Sequence, residues 1–253
     1  MLLRTLKAIL VFILICAVIS AIVLASLGDI KPELAAIIVA LTLGIVGIFQ
    51  DSIRSQFYYP ELDIGFNVEP PDCHKTRITF RDAKGIVEAA PDCYYYRLKV
   101  SNVGNYRAEK VEVMITEKYA ENHQRRFVKD DNFLPLNLKW SHDGVIVRES
   151  IASTLFRYCD FGYIVHPDYK AIPLRPFNIK GEGKVILNLD LEVKPNTGSS
   201  IVFPGKYRVK IIAVADNSRP FSKMFEIDFR DFWDDDERTM LRDGFTVKEV
   251  QAL

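Results

Sequence analysis

The sequence predicts a mainly β protein: an antiparallel two-sheet sandwich of about seven to eight strands, preceded by a transmembrane helical hairpin and followed by a short C-terminal helix. Three observations predict this. Two uncharged apolar runs open the chain, period-two alternation dominates beyond Pro60, and an acid, apolar, glycine order closes it.

The first run, Ala8 to Leu27, reads AILVFILICAVISAIVLASL, about twenty residues without a charge, the length that crosses a ~30 Å hydrocarbon core. The second, Leu34 to Phe49, is again uncharged, and Gly44 and Gly47 offer a small-residue face for close helix packing. Between them Gly28, Asp29, Ile30, Lys31, Pro32 and Glu33 form a polar turn, with Pro32 suited to a helix start and Glu33 to its positive end. Arg4 and Lys7 before the first run and Arg54 after the second, against Lys31 in the loop, put both ends of the hairpin on the cytoplasmic side. A cleaved signal peptide ending near Val23-Leu24-Ala25 is the rival reading of the first run, and it leaves the β domain on the same side. Phe57, Tyr58 and Tyr59 then suit the headgroup region, and Pro60 ends any helix. The expected organisation is a hairpin with its juxtamembrane segment over residues 1–59 and one β domain over 60–253.

In the β domain, Leu62, Ile64, Phe66 and Val68 alternate with polar residues, as a strand with one face on a core requires. Tyr94, Tyr96, Leu98 and Val100, then Val111, Val113 and Ile115, repeat the pattern around a turn at Gly104. Val185 to Val193 and Tyr207 to Ala213 continue it, and Phe225, Ile227 and Phe229 close it, joined to the preceding strand by the turn-forming Asp216-Asn217-Ser218-Arg219-Pro220. Weaker strands are expected around Phe133 to Trp140 and Thr154 to Val165. Pro204-Gly205 before Tyr207 matches the corner of immunoglobulin-like domains, where a tyrosine returns its hydroxyl to upstream backbone. Asp234-Asp235-Asp236-Glu237, then Met240-Leu241 and Gly244, describe a short Asp-capped helix.

Lys plus Arg and Asp plus Glu both number 33, so no net field steers the chain toward nucleic acid, and none is expected as a partner. Cys73 and Cys93 each stand in a Pro-Asp-Cys tripeptide, which permits a bridge in an oxidising compartment, although the expected cytoplasmic location favours free thiols. His74 beside them lacks the paired spacing of a metal site. Ser141-His142-Asp143 spells a hydrolase triad, but three consecutive residues do not place side chains in a relay, and a turn is the expected reading. Gly181-Glu182-Gly183-Lys184 lacks phosphate-loop spacing. The acids at 234–237 are read as a helix start rather than a cation site. Trp140, Trp233 and Tyr94 to Tyr96 are expected mostly in the core, with Tyr95 the outward candidate for recognition. No catalytic, cofactor-binding or metal residue is singled out, and no enzyme activity is expected.

At Phe133 to His142, Tyr158-Cys159-Asp160-Phe161-Gly162 and Pro204-Gly205-Lys206-Tyr207 the chain resembles uncharacterised bacterial proteins that pair a two-helix membrane hairpin with an immunoglobulin-like β-sandwich. The strand pair Tyr94 to Thr116, with its Ser101-Asn102-Val103-Gly104 turn, is also similar to the adhesion-type immunoglobulin-like modules common in bacteria. The resemblance implies architecture and no activity. The expected function is a membrane-anchored, non-enzymatic interaction module in the bacterial inner membrane, touching the lipid bilayer and another protein. The alternative is a two-span membrane effector or sensor whose β domain binds a small ligand.

Overall fold

The computed structural model describes residues 2–28, 31–48, 50, 57–177, 183–192 and 198–251; the side chains of 2–12, 21 and 46 lie outside the description. Contacts divide the chain into two compact units, Met1–Tyr59 and Pro60–Leu253.

The first unit holds helices α1 (Leu2–Ser26) and α2 (Pro32–Ile48), which pack on each other. Gly28, at φ +82°, turns the chain after α1 in a conformation that glycine adopts at little cost. Ala35 is buried and the Thr42 hydroxyl donates to the Ile38 carbonyl, whereas a methyl group added at Gly44 or Gly47 would meet nothing within 4 Å. The expected close approach at those glycines is therefore absent among the described residues.

Among the described residues no helix is long and apolar enough to cross a membrane. Helix α2 has 17 residues, about 25 Å of helix against a hydrocarbon core of ~30 Å. Of the expected first span, side chains 8–12 and 21 lie outside the description, and the described stretch beginning at Ile13 is shorter still. Of the charges read as orienting the hairpin, Arg54 lies outside the described residues, as do the side chains of Arg4 and Lys7, and Asp29 and Ile30 of the turn are also outside. The transmembrane hairpin is thus corrected. With it go the inner-membrane location, the cytoplasmic placement of the β domain, the bilayer and protein partners inferred from anchoring, the anchored module, the two-span effector and the resemblance to two-span bacterial proteins.

The second unit is mainly β. Its strands are β1 (Leu62–Gly65), β2 (His74–Arg77), β3 (Phe80–Arg81), β4 (Val87–Ala89), β5 (Asp92–Asn102), β6 (Ala108–Glu121), β7 (Phe127–Lys129) and β8 (Leu136–Asn137). They continue with β9 (Lys139–Trp140), β10 (Arg148–Ile151), β11 (Phe156–Val165), β12 (Leu187–Leu189), β13 (Ile201–Val202), β14 (Gly205–Val214), β15 (Phe221–Phe229) and β16 (Phe245–Val250). One seven-stranded antiparallel sheet runs β1-β5-β11-β12-β13 and takes on β2 and β9; the other runs β10-β6-β14-β15-β16 and takes on β7 and β8; β3 and β4 form a small hairpin.

The alternation read from the sequence builds the core between the two large sheets. Tyr94, Tyr96, Leu98 and Val100 of β5 are fully buried, as are Val111 and Val113 of β6, and they share one apolar cluster with Ile211, Phe225 and Phe245. Burying such side chains contributes roughly 1.5–3 kcal/mol each relative to leaving them in water. Residues 185–189 are buried on both faces, because Leu187 and Leu189 enter the main core while Ile186 joins Leu174 and Ile201 in a satellite cluster. Helix α3 (Ala171–Leu174) supplies that cover. Val193 of the expected strand lies outside the described residues.

The immunoglobulin-like sandwich of seven to eight strands is corrected as well. Two seven-stranded sheets with these strand orders replace it, because short segments that show no alternation of their own pair onto the rims of β5, β6, β11 and β15. Strands β5 and β6, expected to pair across one turn, lie in different sheets, whereas β14 and β15 form the expected hairpin, with Ala213 opposite Phe221. The Tyr207 hydroxyl does donate to the Phe203 carbonyl at 2.9 Å, a contact that needs only a strand beginning after a tight corner and no particular topology. The C-terminal helix α4 (Glu237–Thr239) is capped by Asp236, whose carboxylate accepts from the Thr239 amide at 2.9 Å. It runs into a π-helical turn, Met240–Gly244, and the chain then re-enters the second sheet as β16 rather than ending in a helix.

Candidate functional site

The segment from Leu136 to Trp140 changes sheets within five residues. Leu136 and Asn137 pair with β6 in the second sheet, and Lys139 and Trp140 pair with β11 in the first. Leu138, the pivot, is fully buried and its amide donates to the Val113 carbonyl at 2.9 Å. Trp140 anchors the crossing: its ring is buried, and its indole N–H donates to the carbonyls of Val111 at 3.2 Å and Ile146 at 3.1 Å.

Immediately after Trp140 the chain turns back. Gly144 donates its amide to the Trp140 carbonyl at 3.0 Å, and the Trp140 amide donates to Val145 at 2.8 Å. His142 (φ +79°) and Gly144 (φ +71°) both take left-handed backbone conformations, which only a tight turn with strong closing hydrogen bonds imposes on a non-glycine residue. This turn, the first residue of β10 and the first residues of β11 surround a cleft of about 410 Å³ lined by Trp140, Ser141, His142, Asp143, Arg148, Phe156, Arg157 and Tyr158. That volume falls in the range of small-molecule sites.

The cleft has two aromatic walls, Phe156 and Tyr158, with the buried Trp140 behind its base, and a mixed charge. Arg148 donates to the Asp143 carboxylate, and Arg157 donates through Nη1 to the Phe156 carbonyl at 3.0 Å. Phe156 and Tyr158 meet edge to face with centroids 5.5 Å apart, and each ring already carries a cation: Lys99 lies 4.1 Å from the Phe156 centroid and Arg97 4.4 Å from that of Tyr158. Tyr158 also donates to Asp72 at 2.7 Å.

Behind one wall lies a polar network. Ser141 donates its hydroxyl to Asp160, Tyr95 donates to Asp190, and Lys139 pairs with Asp190 at 2.6 Å. Burial raises the Asp160 pKa above the ordinary carboxylate value; the hydrogen bond from Ser141 opposes that rise and the neighbouring charge of Asp190 adds to it.

The three residues that spell a triad therefore share the cleft without forming a relay. Ser141 donates its hydroxyl hydrogen bond to Asp160 rather than to His142, and Asp143 is engaged by Arg148. Cys73 and Cys93 are free and buried in different clusters, Cys73 in the main core and Cys93 with Tyr163 and Val165. Burial pushes both thiols up to about 12. His74 is half-buried, and desolvation, then the charge of Arg97, lowers its pKa. Among the described residues no group of three His, Cys, Asp or Glu side chains could hold a metal ion.

The acids at 234–237 are spent on packing. Asp235 pairs with Lys75 at 3.2 Å, Asp236 caps α4, and Glu237 accepts from the Lys75 amide, while the Asp234 carbonyl accepts from the Tyr94 hydroxyl at 2.7 Å. Gly183 and Lys184 form a connector in which Asp231 accepts from the Lys184 and Val185 amides; Gly181 and Glu182 lie outside the described residues. Tyr95, the outward recognition candidate, is committed to Asp190 and stacks on Tyr163 at 6.1 Å, and Tyr96 is fully buried. Trp233 packs against Tyr94 and His166, with centroids 5.0 Å away in each case. Arg148, Phe156 and Arg157 carried no motif in the sequence. The only signal was positional, a turn followed by strand starts that bear both arginines and aromatics. Compared with known proteins, the chain matches no family model and no curated sequence.

Proposed function

We propose that the β domain is a non-catalytic binding domain whose cleft takes a small anionic ligand with a flat apolar part. The observation that carries this reading is the convergence of Arg148 and Arg157 with Trp140, Phe156 and Tyr158 on one cleft of about 410 Å³. Guanidinium groups match carboxylate and phosphate geometry, and aromatic walls favour a ring. A cation-binding aromatic cage is disfavoured, because Phe156 and Tyr158 already hold Lys99 and Arg97 and two further arginines line the space. The commitment of Ser141 to Asp160 supports binding over nucleophilic chemistry, since its hydroxyl donates to a carboxylate rather than to the imidazole of His142.

The test uses the two tryptophans of the chain, which give two indole N–H signals in a nitrogen-proton correlation spectrum. Benzoate is expected to shift the Trp140 signal saturably and leave that of Trp233 in place, and R148A/R157A is expected to abolish the shift. Equal movement of both signals, or an unchanged response in the double variant, would refute the reading.

A further inference from the structure

The cleft carries its own competitor for its anion. We infer that Asp143 is a specificity-determining residue that restricts the cleft to singly charged anions, which makes an aryl carboxylate the class of ligand that fits; this rests on the reading of the cleft as an anion site.

Asp143 projects from the tight turn after Trp140, and its carboxylate engages the guanidinium of Arg148, which opens β10 in the opposite sheet. The pair therefore bridges two walls of the space in which a ligand anion would sit. Its side chains are 30% (Arg148) and 39% (Asp143) exposed, so water screens the attraction and the pair exchanges partners easily. A carboxylate entering the cleft can share Arg148 with Asp143, which stays on the wall beside it.

Charge sets the selectivity. The lining sets Arg148 and Arg157 against Asp143, and Lys99 and Arg97 add positive charge behind the Phe156 and Tyr158 rings. An anion of either charge is therefore attracted, and Asp143 is the lining group that counts charges. A second negative charge on the ligand faces its carboxylate at close range, where like charges repel. The Phe156 and Tyr158 walls then select a ring behind the anionic group.

The experiment compares benzoate, a monoanion, with phenyl phosphate, largely a dianion at pH 7.5, on the full chain, with Trp140 as the reporter and D143N as the variant. Asp143 is 39% exposed, and D143S serves as a second variant that removes the charge with a smaller side chain. The wild type is expected to prefer benzoate. Both variants are expected to tighten phenyl phosphate by about fivefold and benzoate by about twofold or less, the scale of one exposed charge interaction. The gain should shrink as salt is raised from 50 to 500 mM. Binding of phenyl phosphate only by the variants would also support the role of Asp143. Wild-type binding of both ligands with an affinity ratio unchanged in D143N and D143S would overturn the inference and leave the cleft reading standing. Failure of all three proteins to bind either ligand would remove the cleft reading and the inference together.

Discussion

Replacement of Asn102 by alanine tests how the first sheet is held at its corner. Asn102 is fully buried at the end of β5, and its amide group makes four hydrogen bonds to backbone. Oδ1 accepts from the amides of Glu61 at 3.2 Å and Gly104 at 3.1 Å, and Nδ2 donates to the carbonyls of Tyr106 at 2.7 Å and Ile151 at 3.0 Å. One side chain thus ties the approach to β1, the turn that leaves β5, and the end of β10 in the opposite sheet. A typical buried hydrogen bond contributes about 1 kcal/mol net, and partners left without water cost about 1–3 kcal/mol each. Four such contacts put Asn102→Ala near 4 kcal/mol, a large share of the 5–15 kcal/mol that holds most domains together. For a domain of this size that corresponds to a fall in Tm of about 8–16 °C. Urea unfolding followed by far-UV circular dichroism and by tryptophan emission measures it, with Asn102→Asp as control, because the aspartate keeps both acceptor contacts but sets a carboxylate against two carbonyls. A loss below about 1 kcal/mol in Asn102→Ala, with an unchanged denaturant slope, would refute the account of Asn102 as the tie between these segments.

Gly162 sits beside the register shift between Asp160 and Gly162 in β11, and a Cβ there would stand 2.6 Å from the Asn188 carbonyl oxygen and 3.1 Å from Leu189 Cα. Both obstacles are backbone, so Gly162→Ala should destabilise by about 1–3 kcal/mol, read as a lower thermal midpoint; a neutral result would mean that β12 shifts freely. Asp160, with its folded pKa raised by burial, binds protons more readily when folded than when unfolded, so its contribution to stability is full below the ordinary carboxylate pKa and declines as pH rises through the folded value. Asp160→Asn should therefore gain on the wild type as pH rises from 4 to 7 in a chemical-denaturation series, and a constant difference across that range would contradict the assignment. Cys73, Cys93 and Cys159 are buried with thiol pKa values pushed upward, so Ellman's reagent at pH 8 should modify these three only on unfolding. Rapid modification of the native protein at any of them, mapped by peptide mass, would argue against the packing around it.

Alternation announced the strands that face the shared core, because burial on one face leaves a period-two record in the side chains. Leu62 with Ile64, Tyr94 to Val100, Val111 to Ile115 and Phe225 to Phe229 were legible for that reason. Short rim strands such as His74–Arg77 and Phe127–Lys129 were not, since their place is fixed by backbone pairing to β5 and β6 and their side chains are mostly half-buried or exposed. The sequence does not show the partner of β6 for a related reason. A Gly104 turn between two alternating segments fits a hairpin, but Asn102, fully bonded within, converts it into a corner between sheets. The cleft was least legible of all. Asp143 and Arg148 are five residues apart and meet only because His142 and Gly144 reverse the chain, and Arg157 joins them only through the pairing of β11 with β9.

The sheet-switching segment links stability to the cleft. Leu136 and Asn137 belong to one sheet, Lys139 and Trp140 to the other, and the turn that carries Asp143 begins at the next residue. The distance between Asp143 on that turn and Arg148 on β10 is therefore set by how the two sheets stack, and Trp140, donating to Val111 and Ile146 from within the core, fixes that stacking at the cleft wall. A ligand that bridges Arg148 in the second sheet and the aromatic start of β11 in the first would hold the sheets together at the point where only a two-residue strand, β9, extends β11. Binding there acts on the folded state alone and stabilises it by mass action, and its effect is carried across both sheets because the same core residues support both walls.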